Sequence, residues 1–188
     1  MRIISGSFKG KKIFEAKDSK TRPLKDLAKE SIFNIIEHSN KFNTQLIGSN
    51  ILDLFSGVGS FGIECLSRGS KKVVFVENYS GVLPILKKNL SNLEKVKNYE
   101  ILQDDIYRGK VLSNLNNKFD IIFLDPPFKD KNINKLLFKL KDFELLKKNG
   151  LVIIHRHKVE NDDFSNRFKV VDEKKYGISK ISFLSHLN

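Results

Sequence analysis

Apolar and polar positions switch between two periods along this chain, and the switches mark out a repeating unit. The run "NILDLF" (50–55) is nearly continuous in apolar residues, as a strand buried on both faces must be. It leads through a glycine-rich turn into "SFGIECLSRG" (60–69), whose apolar positions fit a helix that Gly69 ends. The same alternation recurs. "KVVFVE" (72–77) predicts a second strand, "GVLPILKKNLSNL" (81–93) a helix with Pro84 in its first turns, and "NYEILQDD" (98–105) a third strand. "FDIIFLDPP" (119–127) predicts a fourth strand, a helix is expected at about 132–147, and "GLVIIHRH" (150–157) predicts a fifth strand. The end changes character, because "FKVVDEKKYGISKISFLSHL" (168–187) reads as two strands around Tyr176 and Gly177 with no room for a helix between them.

Ahead of these units the pattern is looser. "RIISGSFKGKKIF" (2–14) alternates around glycines and predicts a short hairpin or extended arm. Pro23 opens "PLKDLAKESIFNIIEH" (23–38), where Leu24, Leu27, Ile32, Ile35 and Ile36 recur near helical spacing, and a polar connection follows. The expected fold class is α/β, a doubly wound, mostly parallel seven-stranded sheet with an antiparallel C-terminal hairpin, preceded by a short arm and helix. At 188 residues the expectation is one domain, 1–188, with a basic arm and helix over 1–40 and a Rossmann-like core over 50–188. Ligands of such sheets bind at the carboxyl ends of the strands, near the point where strand order reverses.

Composition narrows the function classes. No apolar run reaches the roughly 20 residues of a membrane span, and no signal-peptide core is visible, so a cytoplasmic protein without membrane partners is expected. One cysteine, Cys65, excludes an intrachain disulfide and a cysteine-rich zinc site, and no metal is expected. The net charge is +12, and residues 1–29 carry nine basic residues against Glu15, Asp18 and Asp26. That local +6 makes Arg2, Lys9, Lys11 and Lys12 candidate RNA contacts, against the plainer reading of a solvated basic face in a Lys-rich chain.

Gly57, Gly59 and Gly62 fit G-x-G-x-x-G, and Glu77 stands twenty residues after Gly57, where a ribose-binding acid is expected. The loop alone leaves a nicotinamide dinucleotide and another nucleoside both open. Asp53, just before it, is poorly placed for a pyrophosphate and well placed for a cation such as S-adenosylmethionine. Asp105 suits either an adenine amino group or a helix cap.

"DPPF" (125–128) is more specific. The two prolines remove two N–H donors and leave acceptors, namely the Asp125 carboxylate and the carbonyls of Asp125 and Pro126. Acceptors beside the Phe128 ring suit a conjugated –NH2 on a flat base, whose lone pair they localise and aim at a methyl carbon. A hydride-transfer enzyme has no use for such an arrangement.

With these residues placed, the chain resembles the bacterial RsmD-type methyltransferases. "RIISGSFKGKKI" resembles the family's R-I-I-x-G-x-x-x-G-x-x-L/I arm, and "RPLKDLAKESIFNII" resembles R-P-T-x-x-x-x-R-E-x-x-F-N-x-L. "LDLFSGVGSFGIECLSRG" is similar to L-D-L-F-A-G-S-G-x-L-G-x-E-A-L-S-R-G, and "FVEN", "FDIIFLDPPF" and "YGISKISFL" follow in order. The resemblance covers nearly the whole chain. It implies methylation of a guanine exocyclic amine in 16S ribosomal RNA, with an assembling small subunit as partner and a monomeric enzyme as the default. It implies S-adenosylmethionine at Asp53, Gly57, Gly59, Glu77 and Asp105, with Phe55, Asn78 and Ile106 flanking them. It implies catalytic contacts from Asp125, Pro126, Pro127 and Phe128, and makes Arg22 a further RNA or active-site contact.

Three positions depart from the family pattern. Leu24 replaces Thr, Lys29 replaces an arginine of the R-P helix, and His155 stands where an acid usually follows the fifth strand's apolar run. As two lone histidines, His155 and His157 read as RNA-facing or structural rather than as metal ligands. The alternatives are a DNA amino-methyltransferase, which lacks room here for a target-recognition region, and a non-catalytic RNA-binding protein. A protein-glutamine methyltransferase usually carries Asn at the Asp125 position.

Overall fold

The computed structural model describes residues 1–16, 26–108, 110–164 and 167–187, so Arg22, Pro23 and Leu24 lie outside the described residues. The elements in chain order are α1 (Asp26–His38), β1 (Asn50–Leu54), α2 (Ser60–Ser67), β2 (Lys72–Glu77), α3 (Leu83–Ser91), β3 (Tyr99–Gln103), a 3-10 turn at Ile106–Arg108, α4 (Lys110–Ser113), β4 (Phe119–Leu124), α5 (Ile133–Asp142), β5 (Leu146–His157), β6 (Phe168–Tyr176) and β7 (Ser179–His186). The seven strands form one sheet in the order β3-β2-β1-β4-β5-β7-β6. The first five pair in parallel, and β7 pairs antiparallel with both β5 and β6. The order reverses between β1 and β4, which places the switch point at their carboxyl ends.

Side-chain parity divides the sheet cleanly. Ile51, Val73, Phe75, Ile121, Phe123, Leu151 and Ile153 face the layer built from the N-terminal arm, α1, α2 and α3. Their neighbours Leu52, Leu54, Val74, Val76, Ile122, Leu124, Val152 and Ile154 face α4 and α5. Burial on both sides explains why these strands read as continuous apolar runs rather than alternating ones. On the first face Phe61 of α2 stacks on Phe123 at 4.0 Å and on Phe33 of α1 at 5.1 Å, a rigid link from helix to sheet.

Three expected boundaries move. The helix expected to reach 147 ends at Asp142, because Glu144 takes a left-handed conformation at φ 48° and reverses the chain. Leu145 and Leu146 are then buried, and the Leu145 carbonyl accepts from the Phe119 amide at 2.7 Å, so β5 starts four residues before Gly150. The third strand stops at Gln103, where Asp104 and Asp105 turn their carboxylates onto backbone amides. α4 is a four-residue helix with too little periodicity to have been expected.

The arm folds as a hairpin-like loop, with Arg2 bridged to Lys12 and the Ile3 and Gly10 amides bonded across it. Its anchor is Glu64 of α2, whose carboxylate accepts from the Ile4 and Ser5 amides at 2.8 and 2.9 Å and from Arg68 at 2.9 Å. Lys29 lies 3.7 Å from the same carboxylate and donates to the Arg2 carbonyl at 2.8 Å. Lys29 is fully buried, so it belongs to this clasp and not to a basic face. Desolvation holds its ammonium below the ordinary lysine range, opposed by Glu64 and Asp26. Among the described residues no helix is long and apolar enough to cross a membrane.

Candidate active site

A cavity of about 290 Å³ opens at the switch point, large enough for a nucleoside-sized ligand. Four polar side chains reach this end of the sheet on one face, because each continues the odd-numbered parity of its strand. Asp53 follows Ile51 on β1, Glu77 follows Phe75 on β2, Asp125 follows Phe123 past β4, and His155 follows Ile153 on β5. Ile51 pairs with Ile121, Asp53 with Phe123, and Leu124 with Ile154. One further step in that register sets Asp125 beside His155.

Each acid is held before any ligand arrives. Asp53 is buried and accepts from the Gly62 amide in the first turn of α2 at 3.0 Å. Desolvation pushes its carboxyl well above the usual carboxylate range, Gly62 opposes this, and the neighbouring Asp125 and Glu77 charges add to it. Glu77 ties the glycine loop to the end of β2. Its Oε2 accepts from the Gly57 amide at 2.7 Å, and its Oε1 from the amides of Asn78 and Tyr79 at 2.9 and 2.8 Å. Asp125 Oδ1 lies 2.8 Å from His155 Nδ1.

The lining consists of Asp53, Glu77 and Asp125 with apolar, aromatic and neutral polar residues, and it includes no Lys or Arg among the described residues. The α2 N-terminus, where a dinucleotide would set its pyrophosphate, already receives the Asp53 carboxylate. Three acids lining one cavity disfavour an anion and attract a cation. A phosphate-free, positively charged nucleoside such as S-adenosylmethionine fits these residues, and a pyrophosphate does not.

Of the sequence candidates, Phe55, Gly57 and Asn78 also line the cavity, as do Pro126, Pro127 and Phe128. Gly59, Asp105 and Ile106 are not among the lining residues. Gly59 caps α2 at φ 84°, and a Cβ there would stand 2.5 Å from Leu86, so this glycine serves the packing of α2 on α3. Asp105 accepts from the Tyr107 amide at 2.9 Å and starts the 3-10 turn, the cap left open by the sequence, while Ile106 is buried in the core. On the arm, Arg2, Lys9 and Lys12 are exposed, and Lys11 reaches the Asn92 carbonyl at 3.1 Å and Glu94 at 3.3 Å.

Several residues of the site carried no sequence signal. Arg156, on the opposite face of β5, is buried. It forks onto Asp162 at 3.0 and 3.2 Å, and reaches the carbonyls of Asp130 at 2.8 Å and Pro127 at 3.4 Å. Tyr107 Oη donates to Asp130 at 2.5 Å, and burial, with this bond adding to it, pushes its phenol up. The segment after Asp125 is therefore held by Arg156 and Tyr107 together. Asn89 of α3 bonds the Phe14 amide and carbonyl at 2.8 and 3.0 Å and the Val58 carbonyl of the glycine loop at 3.0 Å. The Lys88 ammonium lies 4.2 Å from the Phe14 ring centroid, with Lys12 at 5.8 Å. The basic residues interleaved with Phe8 and Phe14 were the visible half of that patch.

The family model "Conserved hypothetical protein 95" matches residues 1–185. "Putative rRNA methyltransferase YlbH" of Bacillus subtilis is 33% identical over 184 residues, covering 97% of this chain and 97% of the relative. "Ribosomal RNA small subunit methyltransferase D" of Haemophilus influenzae is 31% identical over 179 residues, covering 95% and 90%. A crystal structure from Haemophilus influenzae described as a "putative methylase" superimposes with a TM-score of 0.76 at 31% identity, covering 100% of this chain and 98% of that one.

Proposed function

This chain belongs to the Conserved hypothetical protein 95 family, which includes the ribosomal RNA small subunit methyltransferase D proteins, and on that premise we propose that it methylates N2 of a guanine in 16S ribosomal RNA using S-adenosylmethionine. The observation that carries the reading is the cavity lining, which joins three carboxylates to the Pro126–Pro127–Phe128 turn and holds no basic side chain among the described residues.

Each residue has a task in this reading. Glu77, oriented by three amides, keeps oxygen lone pairs for ribose hydroxyls. Asp53 provides negative charge for the cationic end of the cofactor. S-adenosylmethionine supplies the methyl group, its sulfonium becoming a neutral thioether as the C–S bond breaks and the N–C bond forms. Asp125 and the adjacent carbonyls accept the hydrogens of the guanine amine, localise its lone pair and stabilise the positive charge that grows on nitrogen. The Asp125 carboxylate then takes the displaced amine proton, so no stronger base is needed. Phe128 stacks on the base. Fixing donor and acceptor in line supplies the rest through proximity.

The Lys11 ammonium over the Phe8 ring, the Lys12 and Lys88 ammonium groups over Phe14, and the exposed Lys9 offer charge and ring faces to an RNA strand beside the cavity. Asn89 connects that patch to the glycine loop. The substrate is expected within an assembling small subunit, and the enzyme is expected to act as a monomer in the cytoplasm, with residues 1–188 as one domain.

The test is transfer of labelled methyl from S-adenosylmethionine to small subunits lacking the modification, to naked 16S RNA and to duplex DNA, with mass mapping of the product. Label on N2 of one guanine in the RNA supports the reading. Label confined to DNA, or cofactor binding without any transfer, overturns it.

A further inference from the structure

We propose, resting on the methyltransferase reading, that His155 is a positioning residue for Asp125, locking the carboxylate from behind as a neutral Nδ1–H donor. His155 stands where the resembled family usually carries an acid. An acid there would face Asp125 with a second negative charge, whereas the imidazole faces it with a donor.

The tautomer follows from the hydrogen bonds. His155 Nδ1 is 2.8 Å from Asp125 Oδ1, and His155 Nε2 is buried with no hydrogen-bond partner among the described residues. With the proton on Nε2, a buried N–H would go unpaired while two acceptors faced each other. With protons on both nitrogens, the Nε2–H would again be unpaired. The proton on Nδ1 alone satisfies the Asp125 contact and leaves only a lone pair buried, the least costly arrangement. The imidazole itself cannot turn away. It is 4% exposed, and the Phe128 ring meets it edge to face at 5.6 Å.

The bond fixes the plane of the Asp125 carboxylate and engages Oδ1, so Oδ2 is the oxygen left to meet the incoming amine. Arg156, the next residue of β5, points to the other face and holds the carbonyls of Pro127 and Asp130. Two consecutive side chains of one strand thus fix the beginning and the end of the acceptor turn. β5 brings the register, and the sheet's alternation brings the opposed directions.

The first test needs no cofactor or substrate. Nitrogen-15 spectra of the imidazole rings, with His155 assigned by its loss in His155→Asn, are expected to show the Nδ1–H tautomer in the wild type. Asp125→Ala should release His155 towards the Nε2–H form. The second test is kinetic. His155→Asn keeps a donor near the Nδ1 position, and its kcat is expected to stay within about threefold of wild type. His155→Leu removes the donor, and kcat is expected to fall about 100-fold with KM for S-adenosylmethionine unchanged. Thermal unfolding of both variants separates misfolding from misplacement. An Nε2–H tautomer in the wild type, wild-type kcat in His155→Leu, or equal losses in both variants overturns the proposal. A wild type that transfers no methyl group, with the Nδ1–H tautomer present, overturns the functional reading instead and leaves the hydrogen bond standing.

Discussion

Asp53 accepts a hydrogen bond from the Gly62 amide at 3.0 Å, and the missing Cβ of Gly62 is what allows it. A Cβ at Gly62 would stand 2.3 Å from the Phe75 ring and 2.9 Å from the Asp53 carboxylate. The third glycine of the loop therefore serves close contact between α2 and the sheet. Gly62→Ala is expected to destabilise the fold by about 1–3 kcal/mol through overpacking, read as a lower urea midpoint at unchanged slope. A midpoint equal to wild type would mean that the helix simply shifts to make room.

Asp53 also predicts a pH dependence. Its folded carboxyl lies well above the ordinary range, so without ligand it holds its proton to higher pH than an unfolded aspartate does. The favourable contribution to folding is therefore full below the ordinary aspartate range and is lost as pH rises towards the folded value. A bound cation favours the ionised form, so binding expels a proton and S-adenosylmethionine affinity rises with pH across that same window. Calorimetry in buffers of different ionisation enthalpy measures the proton directly. Asp53→Asn should bind more weakly and show no proton release from this site.

Asp125 should separate chemistry from binding. Asp125→Ala removes a hydrogen-bond acceptor at the amine, and kcat is expected to fall by about 100-fold to 1,000-fold, with the Kd for S-adenosylmethionine changed little. An equal loss of cofactor affinity would place Asp125 in the cofactor site rather than against the base.

Glu64 is the keystone of the arm. Glu64→Ala leaves the Ile4 and Ser5 amides, Arg68 and Lys29 without their shared acceptor in a buried place. The expected loss is about 3–5 kcal/mol, seen by urea unfolding, with the arm becoming open to proteolysis. A loss confined to the arm, without a change in global stability, would make the clasp a local unit.

The charge of the arm and of Lys88 on α3 should appear in the salt dependence of RNA binding. Each of Lys9→Gln, Lys12→Gln and Lys88→Gln is expected to lower the slope of log K against log salt by about one, without altering S-adenosylmethionine affinity. Lys29→Gln, from the interior, should instead lower stability and leave the slope unchanged.

Much of this could be read from the chain alone. The strand and helix alternation, the seven-stranded sheet and its closing hairpin, the glycine loop and the turn at Asp125 all depend on residues close in sequence. Apolar period, proline chemistry and glycine conformation act over a few residues, so they leave a local trace. Expectation went astray at Leu145 and Leu146, where the start of β5 depends on the Phe119 amide bonded to the Leu145 carbonyl, 26 residues earlier in the chain. It also counted Lys29 within the basic N-terminal segment, although Glu64, far along the chain, draws it inside.

The sequence by itself determined which elements form and which chemically suitable side chains stand at their ends. Only the tertiary structure decided that Asp53, Glu77, Asp125 and His155 share one face of the sheet, and that His155 backs Asp125 across 30 residues. Only it decided that Asn89 fastens Phe14 to the glycine loop. The reason is physical. Local pattern fixes how a side chain alternates along its own strand, but which neighbour it meets depends on strand order and register, and those are set by packing both faces of the whole sheet at once.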